Sequence, residues 1–198
     1  MKASGWLLAG CIGFVVGRPS AGVSQEELPP SIAAQLARGE VVGLASLAAE
    51  GARLPHFAYP TLDGRTFDSN DLAGRPAVLI FWSPTCSGAT QVVRQLGTLR
   101  DGLAPQNVRL VLVNVDSVRA AARRALGSEA ERTEVLLTEG APAIFTDPAR
   151  YVGKPAGLRP ALLVPGFLVL DATGVVRASG MQWNGPDPVL RAVAQLPR

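Results

Sequence analysis

The stretch Ala77-Val78-Leu79-Ile80-Phe81-Trp82-Ser83-Pro84-Thr85-Cys86-Ser87-Gly88-Ala89 decides the fold. Its first six residues form a continuous apolar run, the pattern of a strand buried on both faces. Gln91 to Arg100 then reads as an amphipathic helix, with Val92, Val93, Leu96 and Leu99 on one side. Working outward, Val108 to Val115 is a second buried strand and Val118 to Leu126 a second helix, while Ala143 to Thr146 is a shorter strand and Tyr151 falls in a loop or helical turn. Upstream, Phe57 to Tyr59 and Thr66 to Phe67 flank Asp63-Gly64, a turn pair that favours a hairpin. Downstream, Phe167 to Leu170 and Val175 to Ala178 make a hairpin turned by Asp171 to Gly174. Pro188 to Leu196 closes the chain as a helix whose proline sits in the first turn, where a missing N–H is harmless. Buried strands alternating with helices, followed by an antiparallel pair and a last helix, give an α/β sandwich around a mixed sheet.

Composition bounds what such a chain does. At 198 residues there is room for one domain with a proper core and an N-terminal extension. An apolar fraction of 47% against 18% charged excludes a disordered or fibrous chain. The formal charge of +3 comes mostly from scattered arginines, so no nucleic-acid stripe emerges. The densest spot, Arg119, Arg123 and Arg124, reads as the solvated face of a helix. Two cysteines are too few for a disulfide scaffold, and with His56 the sole histidine no Cys/His spacing suits a metal. His56 itself is expected in an exposed loop, and no cofactor is implied.

The N-terminus reads as an address. Lys2 precedes the apolar run Trp6 to Val16, and Arg18-Pro19 is followed by the small residues Ser20, Ala21 and Gly22. The run is short for a transmembrane span, which needs ~20 residues, and suits a secretory signal. Residues 1–22 are therefore expected to be a signal peptide cleaved near Ala21 or Gly22, or else a retained membrane anchor. Leu8-Ala9-Gly10-Cys11 also has the form of a lipobox, which makes Cys11 a candidate for lipidation. On each of these readings Cys11 stays outside the folded domain. Residues 23–52, with Gln25, Glu26, Glu27, Pro29 and Pro30, read as a spacer, leaving a domain over 53–198.

Several separated motifs together resemble a known group. Leu54-Pro55-His56-Phe57, Leu62-Asp63-Gly64-Arg65 and Leu72-Ala73-Gly74-Arg75-Pro76 lead into the apolar strand, and Val164-Pro165-Gly166-Phe167-Leu168-Val169-Leu170-Asp171 follows far downstream. In that order they resemble the redoxin group, which includes the TlpA-type thioredoxins and, more distantly, the AhpC/TSA peroxiredoxins. Ser83-Pro84-Thr85-Cys86, with Tyr151-Val152-Gly153-Lys154 and Ala178-Ser179-Gly180, is more weakly similar to the MauD proteins. The resemblance implies a thioredoxin fold, a central mixed sheet flanked by helices with an N-terminal β-hairpin, and a cis bond between Val164 and Pro165. It places Cys86 where these proteins keep the first thiol of a Cys-x-x-Cys pair, and Ala89 where they keep the second. Ile80 holds the position at which thioredoxin carries a buried acid.

The chemistry implied is thiol exchange. A cysteine at a helix start meets unpaired backbone N–H groups and the positive end of the macrodipole, which favour thiolate. Release from a mixed disulfide needs a second thiol, which Ala89 cannot supply. Cys86 is thus expected to act as a single redox thiol in an exported compartment, on protein thiols or disulfides or with an external small thiol, and without nucleic acid. Trp82, Pro84, Thr85, Val164 and Pro165 are the candidate substrate-binding residues, with Val164 offering a free docking edge. Trp82 reads equally as packing beside the site. Two alternatives stand beside this reading: a degenerate binding or assembly module, in which Cys86 serves packing, and a one-cysteine peroxidase. The last is weakened because Leu79 and Ser83 occupy the positions where peroxiredoxins place a proline and a threonine.

Overall fold

A computed structural model of the chain describes residues 11–14, 44–86, 88–116, 118–138, 145–152, 161–181 and 183–197. The expected leader apart from 11–14, the spacer as far as residue 43, and Ala143, Ile144, Gly153 and Lys154 lie outside the described residues.

Among the described residues, β1 (Cys11–Phe14) and β2 (Leu44–Leu47) precede the short hairpin β3 (Ala58–Pro60) and β4 (Thr66–Asp68). The central strand β5 (Ala77–Trp82) is followed by α1 (Ala89–Leu103), β6 (Arg109–Asn114), α2 (Arg119–Leu126) and β7 (Glu134–Leu137). Then come β8 (Thr146–Val152), β9 (Ala161–Val164), β10 (Gly166–Leu170), β11 (Val176–Met181) and α3 (Asp187–Ala194). The main sheet has the order β11-β10-β5-β6-β7 and a smaller one the order β1-β9-β2-β8. In the main sheet β5, β6 and β7 run parallel, while β10 is antiparallel to β5 and β11 antiparallel to β10.

Every residue of β5 is fully buried. Alternation along the strand sends neighbouring side chains to opposite faces. On one face Phe81 meets Phe145 edge-on, with centroids 5.2 Å apart, and Phe145 in turn meets Phe57 of the segment entering the hairpin at 4.9 Å. On the other, Trp82 Nε1 donates to the Ala89 carbonyl at 3.4 Å, tying the strand end to the first turn of α1. The apolar side of α1, Val92, Leu96, Leu99 and Leu103, is buried as its spacing requires.

The hairpin forms around Asp63-Gly64 as expected, Gly64 supplying the positive φ of +97°. It is pinned to β7 by Leu62 N–H donating to the Val135 carbonyl at 2.8 Å. Arg109 strengthens this corner. Its Nε and Nη2 form a two-pronged pair with the Glu134 carboxylate, at 2.8 and 3.0 Å, and its guanidinium lies 5.0 Å over the Phe67 ring. The arginine cluster is not merely a solvated face: guanidinium groups of Arg119 and Arg123 both donate to the Leu62 carbonyl, fastening α2 to the hairpin. His56 is exposed, as expected, with Nε2 2.9 Å from Asp68 Oδ1.

The fold departs from the sequence reading at its edges. Within the stretch expected as a spacer, Leu47 is 3% exposed and Ala48 N–H donates to the Phe145 carbonyl at 2.8 Å. The strand that holds Cys11 pairs with β9. Tyr151 lies in β8, opposite Ala45, rather than in a loop or helical turn. β7 was not anticipated, since a four-residue strand with Glu134 at its head offers too short a pattern to separate from a loop.

Two side-chain arrangements fix the last hairpin. Phe167 sits opposite Gly180, and a Cβ on Gly180 would come within 2.4 Å of the ring, so glycine is required for Phe167 to lie across its neighbour. Asp171, only 5% exposed, closes the turn. Burial alone would raise its pKa, but donation from the Thr173 hydroxyl, Val175 N–H, the Arg177 guanidinium and Thr173 N–H outweighs that and holds the carboxyl well below the usual carboxylate range. A depressed carboxylate contributes stability above its unfolded pKa and loses it as pH falls toward the folded value. Asp171→Asn is therefore expected to cost about 1–3 kcal/mol at neutral pH. The gap to the native chain should shrink once the pH drops below ~4, as read by denaturant titrations at pH 7 and pH 3. An unchanged gap would refute the account. Gly180→Val should lower stability by about 1–3 kcal/mol through overpacking against Phe167. The same titration at pH 7 checks it, and a neutral result would show that the ring moves freely.

Candidate functional site

The carboxyl end of β5 delivers Ser83, Pro84, Thr85 and Cys86 into a tight turn before α1. The turn closes on itself, with Cys86 N–H donating to the Ser83 carbonyl at 3.2 Å and Ala89 N–H to the Cys86 carbonyl at 3.0 Å. Helical geometry begins at Ala89 with Gly88 as the cap residue, so Cys86 stands just ahead of the helix rather than in its first turn. Cys86 is 6% exposed and disulfide-bonded. Its Sγ lies 3.5 Å from the Val164 carbonyl oxygen. A sulfur in a disulfide has no proton to donate, so this approach is a contact and not a hydrogen bond.

The Val164–Pro165 bond is cis, as expected. The Pro165 ring packs against the start of the helix: a Cβ on Gly88 would lie 2.9 Å from Pro165 Cδ and 3.1 Å from Cγ. Only a glycine lets the two segments come this close. Cys86, Val164 and Pro165 are thus brought together from positions far apart in sequence.

The remaining candidates divide. Pro84 is half-buried and Thr85 exposed, both on the turn that leads to Cys86. Trp82 is 0% exposed, sealed beneath the turn with its Nε1 engaged by Ala89, so its place is in packing and not at the surface where a substrate would lie. One edge of β9 at Val164 is taken by β1, Cys11 falling opposite Val164, whereas β2 pairs with β9 at Ala161 and Leu162. Among the described residues no group of His, Cys, Asp and Glu could hold a metal ion, and no helix is long and apolar enough to cross a membrane.

One cluster escaped the sequence reading. The hydroxyls of Ser83 and Thr85 lie 2.9 Å apart and both donate to Asp116 Oδ2, the Thr85 bond measuring 3.0 Å. Thr85 N–H donates to Ser83 Oγ at 3.2 Å. Asp116 N–H is received by Asn114 Oδ1 at 3.2 Å. The turn that carries Cys86 is therefore moored to the end of β6. A signal was present in the sequence, because adjacent parallel strands bring their carboxyl ends together, and Asp116 follows the second strand just as Ser83 follows the first.

The Redoxin family model matches residues 49–194. No curated protein matches the chain. Among solved structures, a secreted Mycobacterium tuberculosis disulfide oxidoreductase homologous to E. coli DsbE is similar at 22% identity, covering 71% of this chain and 96% of its own, with a TM-score of 0.53. MTB DsbF, in mixed oxidized and reduced forms, is similar at 22% identity over 70% and 92% of the two chains, with a TM-score of 0.53. A thiol:disulfide interchange protein of the thioredoxin family from Chlorobium tepidum TLS matches at 16% identity over 74% and 97%, with a TM-score of 0.54. At these identities the likeness speaks to the fold, which is the thioredoxin-like one expected. With its family model spanning well over half of the sequence and the Cys86 turn set against cis-Pro165, the chain belongs to the Redoxin family.

Proposed function

We propose that this chain is an extracytoplasmic thiol–disulfide exchange protein that reacts through Cys86, with protein thiols or disulfides, or an external small thiol, as its partners. The observation that carries the reading is the disulfide state of Cys86 at the strand-to-helix junction, with its sulfur against the residue that precedes cis-Pro165. The similar solved proteins described as secreted or as thiol:disulfide interchange proteins support this chemistry and an exported setting. The apolar run Trp6 to Val16 behind Lys2 supports export too, as a cleaved signal or as a tether at the membrane. No cofactor or metal enters the scheme. Ala89, 4% exposed and one helical turn from Cys86, replaces the second thiol, so resolution comes from a sulfur outside the Cys86-to-Ala89 turn.

The peroxidase alternative draws less support, because the Ser83 hydroxyl is committed to Asp116 and Leu79 is buried in β5. A binding or assembly module is the rival that Ala89 favours. Its groove would engage a partner without exchange.

The two readings separate by experiment. After reduction, the native chain is expected to form a mixed disulfide with a model peptide disulfide, and Cys86→Ser to form none, as read by mass spectrometry of acid-quenched samples. Equal labelling of the variant would overturn the assignment. Ala89→Cys should raise disulfide-reductase turnover with a dithiol reductant, since it restores a thiol one helical turn from Cys86. A folded but inactive Ala89→Cys chain would favour the binding module instead.

A further inference from the structure

One edge of β9 at Val164 is filled by the chain itself. β1 lies antiparallel on β9 in the register Cys11 opposite Val164, Ile12 opposite Leu163, Gly13 opposite Leu162 and Phe14 opposite Ala161. Residues directly opposite in an antiparallel pair have Cα atoms ~4.5–5.5 Å apart. Cys11 therefore has its backbone beside Val164, whose carbonyl lies 3.5 Å from the Cys86 sulfur. Cys86 is disulfide-bonded, and the sequence holds one other cysteine.

We propose that Cys11 is the resolving cysteine for Cys86, delivered to it by the pairing of β1 on β9. The proposal rests on the exchange reading of Cys86 and concerns the chain that keeps its first 22 residues. Cys86 thiolate attacks a substrate disulfide, joining one substrate sulfur and expelling the other as thiolate. Cys11 thiolate then attacks Cys86 Sγ, the mixed disulfide breaks, and the second substrate sulfur leaves. Two electrons pass from the two cysteines to the substrate disulfide, and the two thiol protons end on the two substrate thiols. An external dithiol reductant returns the Cys11–Cys86 disulfide to the reduced pair by the same exchange. The second thiol absent from position 89 is thereby supplied by a strand remote in sequence. A substrate strand that pairs with this edge of β9 competes with β1, so substrate and resolving strand use the edge in turn. Lipidation of Cys11 would remove its thiol and is incompatible with this cycle.

The test uses the reduced full-length chain and a peptide disulfide, with quenching by N-ethylmaleimide and mass spectrometry. The native chain is expected to release both peptide thiols and to accumulate in a form with neither cysteine labelled. Cys11→Ser should instead hold the peptide in a mixed disulfide whose decay is slower by about tenfold or more, because resolution within one chain exploits a high effective concentration. Cys11→Ser combined with Ile12→Cys retains two thiols but turns the new one to the opposite face of the strand, and should stay as slow as Cys11→Ser. Native and Cys11→Ser chains with equally persistent mixed disulfides would overturn the proposal while leaving the exchange reading intact. Faster release by Cys11→Ser would also overturn it, making β1 a cap over the site. Failure of the Cys11→Ser chain to form any mixed disulfide would remove the exchange reading itself.

Discussion

Everything near the site depends on β5 being enclosed on all sides. Its edges are taken by β6 and β10, one face is covered by aromatic rings that include Phe145, and the other meets the start of α1. A strand so confined cannot shift register without dragging two partners with it, because a one-residue slip would reverse every buried side chain. The turn that follows Trp82 is consequently aimed by the core. The Asp116 mooring adds a second fixed point, and the glycine at position 88 lets the Pro165 ring close from the other side.

Much of this was legible. A six-residue apolar run has few readings other than a strand covered on both faces, and its bounds, Ala77 and Trp82, match the structure. The Asp63-Gly64 hairpin and the Asp171-to-Gly174 turn were equally plain, since each depends on a local preference of the backbone. Less visible was everything decided across long separations. No pattern within Leu44–Leu47 announces that it pairs with β9, and none within Cys11–Phe14 distinguishes a strand from the apolar core of a leader. Trp82 shows the same limit at the site. Its position beside Cys86 in sequence suited contact with a ligand, but strand alternation turned it inward.

The arginines carry a related lesson. Composition suggested a scattered positive surface, yet Arg109, Arg119 and Arg123 spend their donors on a carboxylate and on backbone carbonyls of the hairpin region. A guanidinium has five donors in a rigid fork, so it suits the task of gathering loop carbonyls that no strand satisfies. These three arginines are engaged in fastening the fold internally.

The segment from Ala161 to Leu170 belongs to two sheets at once, four residues in the small sheet and five in the large, with Pro165 between them. β10 is gripped on both sides along its whole length, whereas β9 relies on β1 and on two register pairs with β2. The boundary between the two sheets therefore falls beside the carbonyl that Cys86 touches. Opening the small sheet would release β9 while leaving the pairing of β10 in place. The Cys86 sulfur sits beside that boundary, against a carbonyl of β9 and upon a turn that follows β5. Its surroundings can thus be remade without unfolding the scaffold that aims it.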